Sequence, residues 1–491
     1  MTQAFARIAL GARSESRTFM MGLARALKEQ FGSVIHLYCN GPQEVVHYEN
    51  LNADGIFASI NNANTLLKAG FEEKIDAEAV LARARELEAL TGLTINRMAV
   101  PDRHFGRGYA LGGFHHPRSR NSEKIDYLHM VHAFCETLDF WDREFREKDI
   151  TLCLNGPREA AYIAHSRGIP YRGMAISRYE NYHYWAWNEL YENPLIEQAF
   201  CASDGQSEID LTTPYFSHRK SRAAYLKAFS FRVMLKSIAM LSARYTYWHL
   251  RGYEKAKGYY FLENVKFYYR SWRDYRRLMK LDLQKLSDLA GRRFVYYPLH
   301  VEPETALHGF SPEYFYQQAL IAAISRDLPA GVFLAVKEAY GAIGRRPDHF
   351  YRQIAELKNV VLLDPWEIGI QCAQSSDAVV TICGTAGLEA LSGGKPVIVF
   401  GRHNIYSPHP AVQIMTDEIQ LRDQLERALN GYYDSEAIKK DARRLLGAIV
   451  DCSFDMGTFD YLDSESVENS QVHAALASLE QTLSRAGMVA Q

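Results

Sequence analysis

One stretch near the C-terminal end constrains the fold more than any other, and it spans residues 377–402 (DAVVTICGTAGLEALSGGKPVIVFGR). An apolar, β-branched run at 378–382 leads into a glycine-containing turn at 383–387, then into helix-forming residues at 388–391 and a second apolar run at 397–400. This order predicts one strand-turn-helix-turn-strand unit. Open parallel sheets bind ligands at the carboxyl ends of their strands, and helix N-termini attract anions, so the turn is predicted to face an anion.

Strands and helices also alternate upstream of this unit. Strand-like runs are predicted at 294–297, 331–336 and 360–363, and helices at 314–325, 350–357 and 367–374. Strands that alternate with helices at this interval form a parallel sheet with right-handed crossovers. The second half of the chain is therefore predicted to contain a Rossmann-like domain.

The N-terminal part begins with the same pattern. A strand at 8–10, a helix at 18–31 and a strand at 34–38 predict another Rossmann-like domain, and the absence of G-x-G-x-x-G argues against a dinucleotide site. A helix is predicted at 77–90, a weaker strand at 94–100, and a long loop at 103–125.

The length of 491 residues exceeds one ordinary core, which favours several domains. The predicted fold class is α/β, and four segments are expected. These are an N-terminal Rossmann-like acceptor-side domain at 1–215, a basic helical segment at 216–290, a C-terminal Rossmann-like nucleotide-sugar domain at 291–430, and C-terminal helices at 431–491.

Residues 217–280 differ sharply in charge from the rest of the chain. They hold sixteen Lys and Arg against three acids, interleaved with eleven Tyr and Trp. Helical periodicity brings five of their residues near one face, namely Phe231, Leu235, Ile238, Ala239 and Ser242. Basic, aromatic amphipathic helices suit an anionic bilayer surface, where each Lys or Arg contributes on the order of 1 kcal/mol. A solvated helix pair whose charges balance acids elsewhere is the competing interpretation, and nucleic acid is disfavoured because no binding motif accompanies the charge.

Overall composition narrows the class of protein. The net charge of −2 does not favour nucleic-acid binding by the chain as a whole. The sequence also has no Asp-x-Asp loop of the kind that marks a metal-dependent sugar-nucleotide site. Seven scattered cysteines without a C-x-x-C pair predict reduced thiols and neither disulfides nor a zinc site. No leader-like segment precedes the first strand, and no window of about twenty residues lacks charge. We expect a cytoplasmic protein without a bound metal or permanent cofactor, with the basic segment as its route to the inner membrane surface.

Glu159 stands at another predicted strand end. The buried strand at 150–154 is followed by Asn155-Gly156-Pro157, and Glu159 falls in the first turn of the next helix. A carboxylate there either complements the helix dipole or acts as a general acid or base. Both interpretations stay open, and Glu159 is a catalytic candidate.

Several short motifs occur in one order along the second half. They are YPLHVEPE at 297–304, VKE at 336–338, GRRP at 344–347, CGTAGLEAL at 383–391 and GKPVIVFG at 394–401. In this order they resemble the bacterial capsule polysaccharide biosynthesis family, which includes CMP-Kdo-dependent β-Kdo transferases. The resemblance implies a GT-B-like fold with two domains facing a cleft. It also implies glycosyl transfer from a CMP-sugar donor to a polysaccharide or glycolipid acceptor.

Glycosyl transfer requires particular groups, and the motifs offer candidates for them. Backbone N–H groups at 385–387, with Lys337, suit the charge on a departing phosphate. Either a base must accept the proton of the acceptor hydroxyl, or a nucleophile must attack the anomeric carbon. The catalytic candidates for these roles are Glu159, His300 and Glu302. The expected donor-binding residues are Glu304, Lys337, Glu338, Gly384, Thr385, Ala386, Gly387 and Glu389, of which the last is placed as ribose-binding acids are in the wider class.

Two positions depart from the family pattern. Glu302 occupies a position that is usually an amide, and Ala339-Tyr340 follow the Lys-Glu pair where many members have His-Pro. The second departure leaves Lys337 as the cationic partner for a phosphate. The resemblance also implies an aspartate nucleophile, for which Asp274, Asp282 and Asp288 lie in the interval.

The sequence leaves two other functions open. One keeps the fold and changes the donor, giving a UDP-sugar transferase or an epimerase, and the Ala339-Tyr340 departure favours it. The other is a non-catalytic scaffold that uses the basic segment to organise polysaccharide assembly.

Overall fold

The computed structural model describes residues 3–12, 17–105, 117, 119–203, 209–211, 225–252, 260–302, 306–459 and 467–485. They form two compact units, each built on a largely parallel sheet. The N-terminal unit combines residues 1–99, 125–204 and 446–491, and the C-terminal unit combines 100–124 and 205–445. The predicted α/β class with two Rossmann-like sheets is confirmed.

In the described residues, the sheet of the N-terminal unit has seven strands. They are β1 (Arg7–Gly11), β2 (Val34–Cys39), β3 (Ser59–Asn62), β4 (Leu152–Leu154), β5 (Tyr171–Ile176), β6 (Tyr182–Ala186) and β13 (Phe454–Asp455). Their order across the sheet is β13-β6-β5-β4-β1-β2-β3, and only β6 runs antiparallel to its neighbours. The chain reverses its direction across the sheet between β1 and β4, which makes their carboxyl ends a topological switch point.

Helices cover both faces of this sheet. They are α1 (Arg17–Phe31), α2 (Pro42–Leu51), α3 (Leu66–Gly70), α4 (Ala77–Thr91), α5 (Ile95–Ala99), α7 (Tyr127–Glu147), α8 (Arg158–Ser166), α9 (Pro194–Ala202) and α18 (Asn469–Ser484). Apolar side chains of α1 and α18 form a core on one face, and those of α4, α7 and α8 form a core on the other. The alternating strand and helix pattern of the sequence arises from this two-sided burial.

The weaker strand predicted at 94–100 is wrong, because these residues form the short helix α5. The backbone N–H of Arg97 donates to the Thr94 hydroxyl at 3.2 Å, so Thr94 caps the first turn. The helix ends at Ala99, and Pro101 disfavours helical geometry in the intervening residue Val100. Residues 106–116 and 118 of the predicted loop at 103–125 lie outside the described residues, and the end of that loop forms α6 (Ser119–Lys124).

The C-terminal helix does not form a separate segment, in contrast to the division expected from sequence. Helix α18 packs on the N-terminal sheet, where Val472 and Leu476 are buried in its core. The Trp185 indole N–H on β6 donates to the Ala475 carbonyl at 2.8 Å. The apolar face of α18 therefore finds its partner almost 300 residues earlier in the chain, which sequence order does not reveal.

The part of the C-terminal unit that the structure describes contains a six-stranded parallel sheet. Its strands are β7 (Arg293–Pro298), β8 (Val332–Lys337), β9 (Val360–Leu362), β10 (Ala378–Thr381), β11 (Val397–Val399) and β12 (Val412–Ile414). The order across the sheet is β12-β11-β10-β7-β8-β9. The surrounding helices are α12 (Gln317–Asp327), α13 (Asp348–Ala355), α14 (Gly369–Ser375), α15 (Ala386–Ser392), α16 (Leu421–Leu429) and α17 (Ser435–Asp451), which the division between units cuts after Leu445.

The basic segment belongs to the C-terminal unit and forms α10 (Phe231–Leu250) and α11 (Phe261–Leu278). The two helices pack together, with the rings of Tyr245 and Phe261 stacked 4.3 Å apart. Phe231 and Leu235, predicted on the apolar face, are 52% and 48% exposed, and Met234 is the buried residue of α10. In the described part of the chain, no helix combines the length and apolar character needed to cross a membrane.

Candidate functional site

Three neighbouring strands bring the candidate residues of the C-terminal unit to one edge of its sheet. β7 lies between β8 and β10, and all three run parallel. His300 follows β7, Lys337 ends β8 and Thr381 ends β10, so their backbones meet at the carboxyl edge. The chain changes direction across the sheet between β7 and β10, and open α/β sheets bind ligands at such a switch point.

His300 holds the turn after β10 in place. Its Nε2 accepts the backbone N–H groups of Ile382 and Cys383 at 3.3 and 3.4 Å. A backbone N–H can only donate, so Nε2 carries no proton and the neutral ring has its proton on Nδ1. The Thr381 hydroxyl lies 3.2 Å from Nε2 and accepts the N–H of Gly384 at 3.2 Å, which ties the turn to the same ring.

The environment of His300 keeps its ring neutral. Burial lowers the pKa of His300 to about 4, and the positive charge of Arg346 adds to this lowering. With Nε2 occupied by donors from the turn, its lone pair is engaged inside the protein. This geometry gives His300 a structural task at the turn, whereas the sequence nominated it as a catalytic residue.

Lys337 carries a buried ammonium group with little compensation. Its side chain is 6% exposed, and Nζ donates to the Glu338 carbonyl at 3.2 Å and lies 4.6 Å from the centre of the Tyr340 ring. Among the described residues, no carboxylate forms an ion pair with this ammonium. Burial lowers the pKa of Lys337, and nearby carboxylates, including Glu389, oppose that lowering. Because this ammonium has already lost most of its hydration and has one hydrogen-bond acceptor, binding an anion would add little to its desolvation cost.

Glu302 and Glu338 share a buried partner, Arg346. Arg346 Nη1 lies 2.8 Å from Glu302 Oε2, and Nε donates to Glu338 Oε2 at 2.7 Å. The three side chains are 1–3% exposed. Burial opposes the charge of Arg346, but the two carboxylates hold the pKa of its guanidinium above the ordinary value.

The remaining carboxylate oxygens are engaged as well. Glu302 Oε1 accepts from the Gln317 amide, and Glu338 accepts the Ala339 N–H at 2.8 Å and the Tyr351 hydroxyl at 2.7 Å. Glu302 was a catalytic candidate and Glu338 a donor-binding candidate. The structure instead places both carboxylates in a buried network of protein contacts centred on Arg346.

The turn between β10 and α15 presents unused donors. Within the described residues, the N–H groups of Thr385 and Ala386 and the Thr385 hydroxyl have no hydrogen-bond acceptor. Thr385 is partly exposed, and the residues that precede it are fixed by His300 and Thr381. The turn is therefore held rigidly while its own donors stay available.

The two glycines of the turn are required by packing against side chains. A Cβ on Gly387 would lie 2.4–2.5 Å from the Tyr406 ring and hydroxyl, and one on Gly384 would lie 2.9 Å from the Thr381 hydroxyl. The Tyr406 hydroxyl donates to the Gly384 carbonyl at 2.7 Å. The close neighbours of both glycines are thus protein atoms, which gives these residues a structural reason independent of any ligand.

Glu389 is the candidate carboxylate that stays near Lys337. It is the fourth residue of α15, is partly exposed, and its backbone N–H donates to the Thr385 carbonyl at 3.1 Å. Its charge influences both the Lys337 ammonium and the hydroxyl of Tyr296 on β7. Glu389 thus lies on the helix that follows the turn, within electrostatic range of Lys337.

Glu159 lies in the N-terminal unit at the corresponding switch point. It is the second residue of α8 and is half-buried. Asn155, just before it, adopts a left-handed backbone conformation (φ 52°), and its side-chain oxygen accepts the Met174 N–H at 2.7 Å. A Cβ on Gly11 would lie 2.1 Å from the Asn155 carbonyl oxygen, so β1 and the loop after β4 pack closely.

The structure places three of the four remaining candidates, which are the carboxylates Asp274, Asp282, Asp288 and Glu304. Glu304 lies outside the described residues. Asp274 is buried on α11, where the Arg273 guanidinium donates to it at 2.8 Å. Asp282 and Asp288 lie before β7, and Asp288 accepts the Lys285 N–H at 2.9 Å. In the described ranges, no cluster of three or more His, Cys, Asp or Glu is arranged to hold a metal ion.

Four residues of the site were not anticipated from sequence. Thr381 and Tyr406 shape the turn, and Arg346 and Gln317 fix the segment after β7. Arg346 was part of the quoted GRRP motif, which offered a signal without indicating which arginine is buried. The other three act through contacts that sequence spacing does not encode.

Comparison with known proteins places this edge in a family context. Residues 216–421 match the model of the capsule polysaccharide biosynthesis protein family. The matched range contains every motif quoted between 297 and 401, so the resemblance found in the sequence is confirmed over that range. No curated protein matches this chain.

Solved structures that align with the chain do so at low identity. KpsC from Thermosulfurimonas dismutans, a β-Kdo 2,7 transferase, is 12% identical over 61% of this chain and 79% of its own, with a TM-score of 0.29. MnaA from S. aureus with UDP is 8% identical over 91% of this chain and 94% of its own, with a TM-score of 0.30. The UDP-GlcNAc 2-epimerase of Neisseria meningitidis is 9% identical over 98% of this chain and 99% of its own, with a TM-score of 0.28. Values this low support no assignment of activity to this chain.

Proposed function

We propose that this chain is a glycosyltransferase that moves Kdo or a related acidic sugar from a CMP-activated donor to a surface polysaccharide or glycolipid. The family match over 216–421 supports a role in polysaccharide synthesis. The buried Lys337 ammonium carries the chemical part of the proposal, because it lacks an ion-pair partner among the described residues and lies at the ligand-binding edge of a parallel sheet. A phosphate is the anion that such a site suits best.

The residues at this edge have distinct proposed tasks. Lys337 and the free N–H groups of Thr385 and Ala386 stabilise the charge that develops on the departing phosphate. Glu389 binds ribose hydroxyls of the donor. Glu159 of the N-terminal unit is proposed as the base that accepts the proton of the acceptor hydroxyl.

Calorimetric binding of CMP tests the proposal directly. Lys337→Ala removes one charged hydrogen bond to the phosphate, which contributes about 1.5–3 kcal/mol, and is expected to weaken CMP binding roughly 10- to 100-fold. Lys440→Ala, which removes an exposed lysine of the same unit, is the matched control and should bind as the unaltered protein does. Equal CMP affinity in Lys337→Ala would show that the phosphate binds elsewhere.

A UDP-sugar transferase or epimerase is the second candidate. One observation favours it: Tyr340, at a position where many family members have proline, places its ring against Lys337 and stacks on Trp366 with 5.8 Å between ring centres. This arrangement differs from the His-Pro pattern associated with CMP-sugars. Measuring UDP and UDP-sugar binding beside CMP decides between the two, since binding of UDP compounds alone would contradict the CMP-sugar proposal.

We further propose that the basic helical segment contacts an anionic membrane surface. Helix α10 contains no acidic residue, and its solvent-facing side combines Arg232 and Lys236 with exposed Tyr247 and Leu250. Exposed apolar side chains beside cations suit the boundary between lipid headgroups and acyl chains. This surface would hold the enzyme, as a peripheral protein of the cytoplasmic side, near a lipid-linked acceptor.

Sedimentation with vesicles tests the membrane proposal. The protein should sediment with phosphatidylglycerol vesicles and not with phosphatidylcholine vesicles, and raising the salt concentration should release it. The charge reversal Lys236→Glu with Arg244→Glu should abolish sedimentation. The same reversal at Arg422 and Lys440, which are exposed elsewhere in the unit, is the matched control. If equal amounts of protein sedimented with the two kinds of vesicle, the proposal that this surface binds anionic membranes would be wrong.

A further inference from the structure

Arg346 joins the ends of two neighbouring strands. Its guanidinium donates through Nη2 to the His300 carbonyl after β7, and Nη1 lies 2.8 Å from Glu302 in the same segment. Its Nε donates at 2.7 Å to Glu338, which directly follows Lys337 at the end of β8. The Arg346 side chain, which is 1% exposed, therefore connects His300, which holds the turn, with Glu338, which follows Lys337.

Gln317 on α12 completes the fixation of His300. Its side-chain oxygen accepts the His300 N–H at 2.8 Å, and its amide donates to the His300 carbonyl at 3.2 Å. The backbone of His300 is therefore held from both sides, by Gln317 and by Arg346. Its imidazole then has a fixed position from which to accept the N–H groups of Ile382 and Cys383.

We propose that Arg346 is a positioning residue for donor binding, an inference that rests on the proposed function. It acts through two routes: through His300 it sets the turn whose N–H groups meet the phosphate, and through Glu338 it sets the backbone that carries Lys337. The planar fork of arginine makes these contacts in three directions at once, which a lysine ammonium cannot reproduce. Arg346 Nε and Nη2 donate to protein groups and Nη1 lies within ion-pair distance of Glu302, so the proposal gives Arg346 no contact with the ligand.

A single substitution that removes Arg346 cannot separate an effect on the position of the binding residues from an effect on the stability of the fold. Arg346→Met leaves the carboxylates of Glu302 and Glu338 buried without a cation, so that variant is expected to fold poorly. The triple variant Glu302→Gln, Glu338→Gln, Arg346→Met removes all three charges together and keeps similar volumes. It separates the loss of a buried charge from the loss of the clamp.

The experiment measures the melting temperature and the CMP dissociation constant of full-length protein. The triple variant is expected to melt near the unaltered protein yet bind CMP roughly tenfold or more weakly, because small misplacements at a binding site have large effects. Arg346→Lys, which keeps the charge and loses the fork, is expected to behave the same way. Leu425→Ala, a core change on α16, is the control that lowers stability and leaves CMP affinity unchanged.

Hydrogen exchange gives a second readout that needs no ligand. The amides of Ile382 and Cys383 should exchange faster in the triple variant and in Arg346→Lys, and at the unaltered rate in Leu425→Ala. Unaltered CMP affinity in a folded triple variant or in Arg346→Lys would overturn the inference. If the unaltered protein binds no CMP, the proposed donor is wrong, and unchanged amide exchange in both arginine variants would then overturn the positioning role separately.

Discussion

Gly387 offers a test of why the turn after β10 contains glycine, since alanine there is expected to destabilise the C-terminal unit even without a ligand. The added Cβ would lie 2.4–2.5 Å from Tyr406, whereas ordinary contacts begin at 3.4 Å. The ring must therefore retreat by about 1 Å. Tyr406 is 3% exposed and its hydroxyl donates to the Gly384 carbonyl, so movement costs both packing and this hydrogen bond.

The expected loss follows from these two costs. Overpacking a core costs typically about 1–3 kcal/mol and the hydrogen bond contributes about 0.5–1.5 kcal/mol, which together give a loss of roughly 2–4 kcal/mol. In a unit of this size each kcal/mol lowers the melting temperature by about 2–4 °C. We therefore expect a drop of roughly 4–16 °C for Gly387→Ala.

A double-mutant cycle followed by calorimetric melting isolates the contact. Tyr406→Ala removes the obstacle, so adding Gly387→Ala to that background should cost almost nothing further. Gly341→Ala is the matched control, because a Cβ there meets its nearest neighbour at 3.5 Å. The packing explanation fails if Gly387→Ala melts as the unaltered protein does, or if its cost persists without the Tyr406 ring. A variant that melts normally but no longer binds CMP would indicate that the glycine serves the ligand.

Three further predictions concern charge and anchoring. Burial lowers the pKa of His300 to about 4 from 6.5, so its neutral ring contributes about 3 kcal/mol above pH 6.5 that is lost as the pH falls through 4. His300→Asn should accordingly show a shallower fall of melting temperature between those pH values. Burial also lowers the pKa of Lys337, so CMP affinity should decline as the pH rises through that lowered value, and Lys337→Arg should retain affinity at higher pH. Arg172 anchors α18 through the hydroxyl and carbonyl of Thr482 at 3.0 and 2.9 Å, so Arg172→Met should cost about 1–3 kcal/mol and speed proteolysis after the start of α18.

The turn and its flanking elements were predictable because their signals are local. The strand predicted at 378–382 and the helix from 388 correspond to β10 and α15, which shows that apolar runs and glycine position define this unit well. The placement of His300 and Lys337 at neighbouring strand ends followed from the alternation of strands and helices. These features need no knowledge of which distant residues meet.

The Arg346 network could not be predicted for the opposite reason. The sequence treated Glu302 and Glu338 as ligand-facing carboxylates because they follow predicted strands, a position that does favour ligands. Which carboxylate turns inward depends on a guanidinium that arrives from a separate loop. On α10, likewise, periodicity predicted an apolar face that includes Phe231 and Leu235, but these two side chains are exposed and Met234 is buried.

The inward position of these carboxylates changes what the remaining residues have to do. A transferase needs charge stabilisation at the phosphate and a proton acceptor at the nucleophile. With Glu302 and Glu338 paired to Arg346 and His300 neutral with Nε2 occupied, the C-terminal unit offers donors and a cation at this edge more than it offers a base. Under the proposed function, we therefore assign donor binding to the C-terminal unit. Glu159, in the first turn of α8 at the switch point of the N-terminal sheet, remains the proposed proton acceptor.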